Sequence, residues 1–421
     1  MSSDRGGSRR PARRPGLHTP ATSVDTSGTQ HFFCPCPRGL EAVLHEELVA
    51  LGAGSLQATE GGVSFSGPFD LCYRVNLHSR IASRMLWRVA QRGYRSERDV
   101  YDLVRGIAWE QCFDVERTMR VNVSATASPL KSLDFITLRI KDAVCDRFRD
   151  ATGRRPDIDT AGPDVRVHAY FDAATLSVYL DTSGEPLFKR GRRVAAGEAP
   201  LRENLAAGIL RLSGWTPAHP LLDPMCGGGT FLLEAADMAL QRAPGRQRAF
   251  GFEKLNAFDS RRWSGLLAHA CEAELPARPL ELYGSDLYGA ALTLARTNLE
   301  HAGLAQCVHL KQANVLELTP PAKAGTVVTN PPYGVRIGEE AELAQFYPRL
   351  GDALKQRFAG WNVCIFTADM RLPKLIGLRP KRRVPLFNGA LECRLYEFEM
   401  VVGTARRRRD AEPPPPPLTP G

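Results

Sequence analysis

The sequence predicts an α/β protein whose C-terminal half is a mainly parallel, doubly wound sheet, preceded by a smaller α+β region. Three observations carry that expectation. From Leu221 onward, short apolar strands alternate with helices, the pattern of a parallel sheet covered on both faces. The first of those strands runs straight into a glycine loop that opens a helix. Before residue 183, short alternating strands and amphipathic helices are mixed, with a hairpin at the end.

The elements follow in order. Residues 1–29 are rich in Ser, Gly, Pro and Arg and lack hydrophobic periodicity, which predicts a disordered basic tail. Leu40, Val43, Leu44, Leu48 and Leu51 fall at helical spacing and stop at Gly52. Val63 and Phe65 alternate after a Gly61-Gly62 turn, and a helix is expected near Phe69–Val75. Met119–Ala125 reads as a strand. Ile136, Ile140, Ala143, Val144 and Phe148 define one face of a helix. Val165–Phe171 and Leu176–Leu180 form a hairpin about Asp172-Ala173-Ala174. Pro200 starts a helix that ends near Gly214. The parallel strands are Leu221–Asp223, Leu282–Ser285, Val308–Gln312, Thr326–Thr329 and Asn362–Thr367, and an antiparallel pair, Arg382–Leu386 and Cys393–Val401, closes the sheet. Residues 241–280, with Trp263, read as an insertion. Residues 404–421 form a second tail, with an arginine run and a proline run suited to polyproline II.

Composition narrows the partners. The chain has 421 residues, 43% of them hydrophobic and 24% charged, which suits soluble globular domains. Its 55 Lys and Arg against 46 Asp and Glu leave +9, which favours a polyanion, RNA or DNA. Without a long apolar run, neither a membrane span nor a secretory signal is expected, and the location is cytoplasmic. The ten cysteines include no C-x-x-C pair, so reduced thiols and no metal site are expected. Lys189, Arg190, Arg192 and Arg193 surround Gly191 in a connector. They are candidate RNA-phosphate contacts, although a solvated loop is the commoner explanation of such a run.

The chemistry lies in four places. In Leu221-Leu222-Asp223-Pro224-Met225-Cys226-Gly227-Gly228-Gly229-Thr230, the glycines let a ligand approach the backbone, and the helix start offers unpaired N–H groups. The string lacks a P-loop lysine and the G-x-G-x-x-G spacing. Asp223, Cys226, Gly227 and Gly229 are therefore cofactor candidates, with Asp223 placed to hold an amino group. Asp286 ends the next strand, where an acid can take two ribose hydroxyls or simply cap a helix. Asn314 follows the third strand, where its amide oxygen can accept from an adenine amino group or serve a turn.

The last place is Asn330-Pro331-Pro332-Tyr333. An apolar strand enters a proline-stiffened loop in which the Asn330 side chain and the Pro331 carbonyl can converge on one NH2 group. Tyr333 offers a face for stacking a base. In this order, after a glycine loop and an acidic strand end, the string predicts methyl transfer to an exocyclic amine. Adenine, cytosine and guanine all stay open on the loop alone.

Residues 31–403 resemble the THUMP-domain class I RNA methyltransferases, most closely the guanine-N(2) half of the bacterial 23S rRNA methyltransferase RlmL. The strings that carry the likeness are Arg38-Gly39-Leu40-Glu41, Glu60-Gly61-Gly62-Val63, Ser79-Arg80-Ile81-Ala82-Ser83-Arg84, Ala199-Pro200-Leu201-Arg202-Glu203-Asn204, Leu222-Asp223-Pro224-Met225-Cys226-Gly227, Asn330-Pro331-Pro332-Tyr333-Gly334 and Asn388-Gly389. The resemblance implies a ferredoxin-like segment (30–70), a THUMP RNA-binding domain (71–183) and a Rossmann-like class I methyltransferase domain (184–403). It also implies S-adenosyl-L-methionine as cofactor and a guanine 2-amino group of 23S rRNA, naked or in a large-subunit assembly intermediate, as acceptor. Asn314 stands where that pattern has Asp. No second methyltransferase module follows, so the guanine-N(2) activity alone is expected. A tRNA guanine-N(2) enzyme, a DNA adenine methyltransferase and a noncatalytic assembly factor are the rivals. A cofactor titration separates the last of these.

Overall fold

The computed structural model describes residues 24–191, 194, 201–331 and 339–401. Two seven-stranded sheets divide the chain. The first takes β1 (Gln30–Pro35), β2 (Gly54–Thr59), β3 (Gly62–Gly67), β4 (Leu86–Gly93), β5 (Met119–Ala125), β6 (Val165–Phe171) and β7 (Thr175–Asp181) in the order β2-β3-β1-β4-β7-β6-β5. All its pairings are antiparallel except β5 with β6. Helices α1 (Glu41–Ala50), α2 (Leu71–His78), α3 (Glu97–Arg105), α4 (Trp109–Cys112) and α5 (Leu133–Thr152) accompany it.

Local chemistry explains where these pieces start and stop. Ser96 caps α3 reciprocally with Asp99, and Ser132 Oγ accepts the Phe135 N–H at the head of α5. Gly153, at φ +74°, ends α5 in the left-handed conformation. The face of α5 expected to be apolar is the buried one: Ile136, Ile140, Ala143, Val144 and Phe148. At the β6–β7 hairpin, Asp172 accepts from the N–H groups of Ala174 and Thr175, which fixes the turn.

The second sheet has the order β10-β9-β8-β11-β12-β14-β13. Its strands are β8 (Leu221–Asp223), β9 (Leu282–Asp286), β10 (His309–Gln312), β11 (Gly325–Thr329), β12 (Trp361–Thr367), β13 (Arg382–Asn388) and β14 (Leu391–Glu399). Strands β8 to β12 run parallel, and β14 returns antiparallel against β12 and β13. Helices α6 (Glu203–Leu212), α7 (Thr230–Ala239), α8 (Ser260–Glu272), α9 (Gly289–His301), α10 (Glu339–Arg357) and α11 (Leu372–Leu375) complete the layers. Strand order reverses at β8, with β9 on one side and β11 on the other. A doubly wound sheet opens its ligand crevice at that switch, at the carboxyl ends of the strands.

One continuous apolar core joins the halves, running from Phe32 through Phe252 to Leu395. The insertion at 241–280 is part of the join. Tyr73 of α2 lies 4.8 Å from Phe252 and 6.3 Å from Trp263, ring centre to ring centre. Its hydroxyl donates to the Ala257 carbonyl and accepts the Asp259 N–H, so the ring is held at both its face and its edge. Among the described residues, no helix is long and apolar enough to cross a membrane.

Candidate cofactor and acceptor site

Strand β8 delivers Asp223 to the centre of the sheet's carboxyl edge, where 2% of the residue remains exposed. The chain then turns through Pro224 to Gly229 and enters α7. Gly227 and Gly229 hold φ of +52° and +78°, left-handed values that side chains with a Cβ adopt only at a cost. A Cβ on Gly227 would meet no atom within 4 Å, so its requirement is conformational and the space before it is open.

The loop is tied to β9 by three bonds. Cys226 N–H donates to the Ser285 carbonyl at 2.9 Å, and the Ser285 hydroxyl donates to the Pro224 carbonyl at 3.4 Å. The Gly227 N–H donates to Asp286 Oδ2 at 3.0 Å, while Asp286 Oδ1 accepts the Tyr288 N–H at 3.0 Å. Asp286 therefore organises the glycine loop and the start of α9 together. Each carboxylate oxygen keeps a lone pair that can accept from a ligand hydroxyl. Of the two sequence readings of this residue, the local capping group is the one these bonds describe.

Burial pushes the Asp223 carboxyl up to about 7, and the charge of Asp286 adds to the rise. The Met225 N–H, which donates to Asp223 Oδ1 at 3.3 Å, pulls the other way. Burial likewise raises the Cys226 thiol, which leaves it a neutral, packed side chain and no nucleophile. Asn314 Oδ1 accepts the Leu316 N–H at 3.1 Å, and its carbonyl accepts the Glu317 N–H at 3.0 Å. Its amide oxygen thus serves a turn, with one lone pair left over.

Strand β11 places Asn330 on the other side of β8. Its side-chain oxygen is buried and accepts no hydrogen bond among the described residues. A buried oxygen without a donor costs about 1–3 kcal/mol, and such atoms are scarce in native proteins. Pro331 is buried next to it. Pro332 and Tyr333 lie outside the described residues, as do Arg192 and Arg193.

The basic connector divides. Lys189 is exposed and pairs with Glu185 at 2.9 Å. Arg190 corrects the expectation of a phosphate contact: its side chain is 1% exposed and donates to Glu234 of α7 at 2.6 Å and to the Arg80 carbonyl at 2.7 Å. A guanidinium enclosed this way cannot reach RNA without breaking a buried ion pair.

Sequence reasoning also missed what Arg80 and Arg248 do. Arg80 donates to the carbonyls of Asp237 and Arg242, and burial lowers its guanidinium to about 10. Arg248 donates to the carbonyls of Ser183, Glu185, Pro186 and Lys189, so the interdomain connector is wound around one side chain. Arg84 binds Asp181 and the Gly184 carbonyl in the same seam. Asn204 of α6 donates to the Ile81 carbonyl and the Ser83 hydroxyl. The string 79–84 was legible as a family feature. Its task, joining the two sheets, was not.

Comparison with known proteins decides the family. Residues 190–397 match the RMKL-like methyltransferase domain, residues 31–86 the RlmL ferredoxin-like domain and residues 94–181 the THUMP domain. The protein slr0064 of Synechocystis sp., named as a candidate RNA methyltransferase, is 38% identical over 90% of this chain and 100% of its own length. The chain belongs to the RMKL-like methyltransferase family. The ribosomal RNA large subunit methyltransferase K/L of Shewanella sp. is also 38% identical over 90% of the chain, which spans 54% of that enzyme. The structure of SMU.472, a candidate methyltransferase complexed with S-adenosylhomocysteine, superposes with a TM-score of 0.79 at 29% identity, covering 89% of this chain and 99% of that one.

This RMKL-like protein is accordingly an S-adenosylmethionine-dependent methyltransferase with a Rossmann-like catalytic domain. The residues present fit that cofactor. Two carboxylates and an open, left-handed glycine loop meet at one strand edge, matching an ammonium group and a ribose diol.

Proposed function

We propose that this RMKL-like enzyme methylates the exocyclic 2-amino group of a guanine in 23S rRNA, as naked RNA or within a large-subunit assembly intermediate. The observation that carries the acceptor chemistry is the buried Asn330 side-chain oxygen at the end of β11, which accepts no hydrogen bond among the described residues. An amino group is the donor that such an oxygen lacks. The Pro331 carbonyl is the second acceptor. With both N–H groups held, the nitrogen lone pair is directed out of the base plane, and positive charge growing on nitrogen is stabilised. Pro332 stiffens the loop, and Tyr333 stacks on a base flipped from its helix.

When bound, the cofactor supplies a methyl group on a sulfonium and departs as S-adenosylhomocysteine. Asp223 holds its amino group, Asp286 its ribose hydroxyls and Asn314 its adenine, while the backbone of Cys226, Gly227 and Gly229 lines the approach. The amine proton leaves to water after nitrogen is alkylated, so no side-chain base is required. RNA as substrate is supported by the THUMP match and by the names of the relatives; guanine is supported by the family resemblance.

Tritiated methyl transfer into 23S, 16S and tRNA fractions, followed by nucleoside analysis, tests the reading. N(2)-methylguanosine in 23S rRNA is expected. Label in tRNA guanine would move the substrate to the tRNA class, and label in adenine would overturn the acceptor assignment.

A further inference from the structure

We propose that the open face of the N-terminal sheet binds an unpaired segment of the substrate RNA, stacking bases on Tyr170 and Phe33 and meeting phosphate with Arg88. This rests on the RNA methyltransferase reading above and adds where the RNA is held.

The helices cover one face of this sheet, over Phe32, Trp87, Val167 and Leu180, all buried. Strand register identifies the opposite face. Tyr179 pairs with Arg88 of β4 and with His168 of β6, so the three share a side. Tyr170 pairs with Ser177 on that same side, and the Phe33 ring centre lies 6.4 Å from that of Tyr179. The face is wet. Tyr170 is 39% exposed, His31 and Gln91 are exposed, and Phe33 and Arg88 are partly so. A solvated sheet face ordinarily carries small polar and charged residues. Aromatic rings on such a face cost solvation unless something stacks on them.

Charge selects the occupant. Among the strand residues of this face, Asp181 is the one carboxylate, and it is buried and paired with Arg84 and His168. The cations are Arg88, Arg120 and Arg166. Arg166 pairs with Glu185, and Arg120 donates to the Thr160 carbonyl. The Arg88 side chain makes no hydrogen bond or ion pair among the described residues, and it stands between the Tyr179 and Phe33 strands. A polyanion with free π-faces satisfies both the cation and the rings. Unpaired RNA offers these together; in an A-form duplex the bases are stacked on one another and hidden from a flat surface.

The test uses the full chain, a labelled oligoadenylate, a labelled blunt RNA duplex and fluorescence anisotropy. In the Arg88→Ala/Tyr170→Ala double variant, affinity for the single strand should fall about tenfold or more, as expected for losing a stacking ring. The slope of log affinity against log salt should flatten by about 0.7, one phosphate contact on a single strand. Tyr170→Phe should bind as the wild type does, since a ring remains to stack. Duplex and cofactor affinities should be unchanged, which also reports an intact fold. A double variant that binds oligoadenylate like the wild type, while the wild type still methylates RNA, overturns the sheet-face site alone. Loss in Tyr170→Phe equal to that in Tyr170→Ala overturns stacking. A wild type that neither binds nor methylates any RNA overturns the proposed function, and this site with it.

Discussion

Arg190 and Glu234 form an ion pair at 2.6 Å in which each side chain is 1% exposed, at the seam between the two sheets. Arg80 stands 3.9 Å from the same carboxylate. Glu234 thus neutralises a guanidinium from each side of the seam. Replacing Glu234 with Ala leaves both charges buried, and unfolding free energy should drop by about 3–5 kcal/mol. Urea melts measure this directly. The double change Arg190→Met/Glu234→Leu should recover only part of the loss, because it removes the buried Arg190 charge but leaves Arg80 without its carboxylate.

The Asp223 carboxyl, held by burial at about 7 in the fold, returns to about 3.9 in the unfolded chain. Between those values the native state keeps a proton that the unfolded state has released, so stability falls as pH rises through that window and is level outside it. Comparing the wild type with Asp223→Asn isolates this contribution: the variant should gain on the wild type as pH climbs to about 7. Cofactor binding should run the opposite way. An ammonium group prefers the ionised carboxylate, so wild-type affinity for S-adenosylhomocysteine should rise with pH up to about 7 and then flatten. Calorimetric titration of Asp223→Asn should show weaker binding without that dependence.

The C-terminal sheet was legible because short apolar segments such as Val327-Val328 and Val363–Phe366 alternate with helices at regular intervals. Two N-terminal strands left no such mark. Strand β2 lies at a sheet edge with five of six residues exposed, and β4 carries a bulge between Arg88 and Ala90 that breaks the period of two. The proximity of Asp223 and Asp286, the two acids proposed for the cofactor, was legible for a topological reason: they end adjacent parallel strands, so two distant sequence signals become neighbours. Asn314 kept both its readings because a turn bond to a residue two positions on is local information. Arg190 misled because its partner lies 44 residues away, and a basic run looks the same whether one member is enclosed or none is.

Lys189 and Arg190 should therefore separate experimentally. Lys189→Ala removes an exposed cation and should reduce the salt slope of RNA binding by up to about 0.9 with little change in stability. Arg190→Ala should do the reverse, lowering the urea midpoint and leaving the slope unchanged. Equal effects of the two substitutions on the slope would contradict the buried position of Arg190.

Asn330 makes the sharpest case, because its stability and activity effects should part company. Among the described residues its side-chain oxygen is buried without a donor, so Asn330→Ala removes a group with no partner there and should leave the unfolding free energy equal or slightly higher. The same change deletes one of two acceptors that orient the amine, and turnover should fall by roughly 10²–10³, the usual effect of losing one preorganised polar group. Asn330→Asp keeps an acceptor but places a charge in a buried position, so it should retain part of the turnover and lose stability as pH rises above the carboxyl's own pKa. Single-turnover methyl transfer and urea melts on the two variants check both halves. Near wild-type turnover in Asn330→Ala would remove the residue from the acceptor site, and a large loss of stability would show that the oxygen has a partner in the free protein.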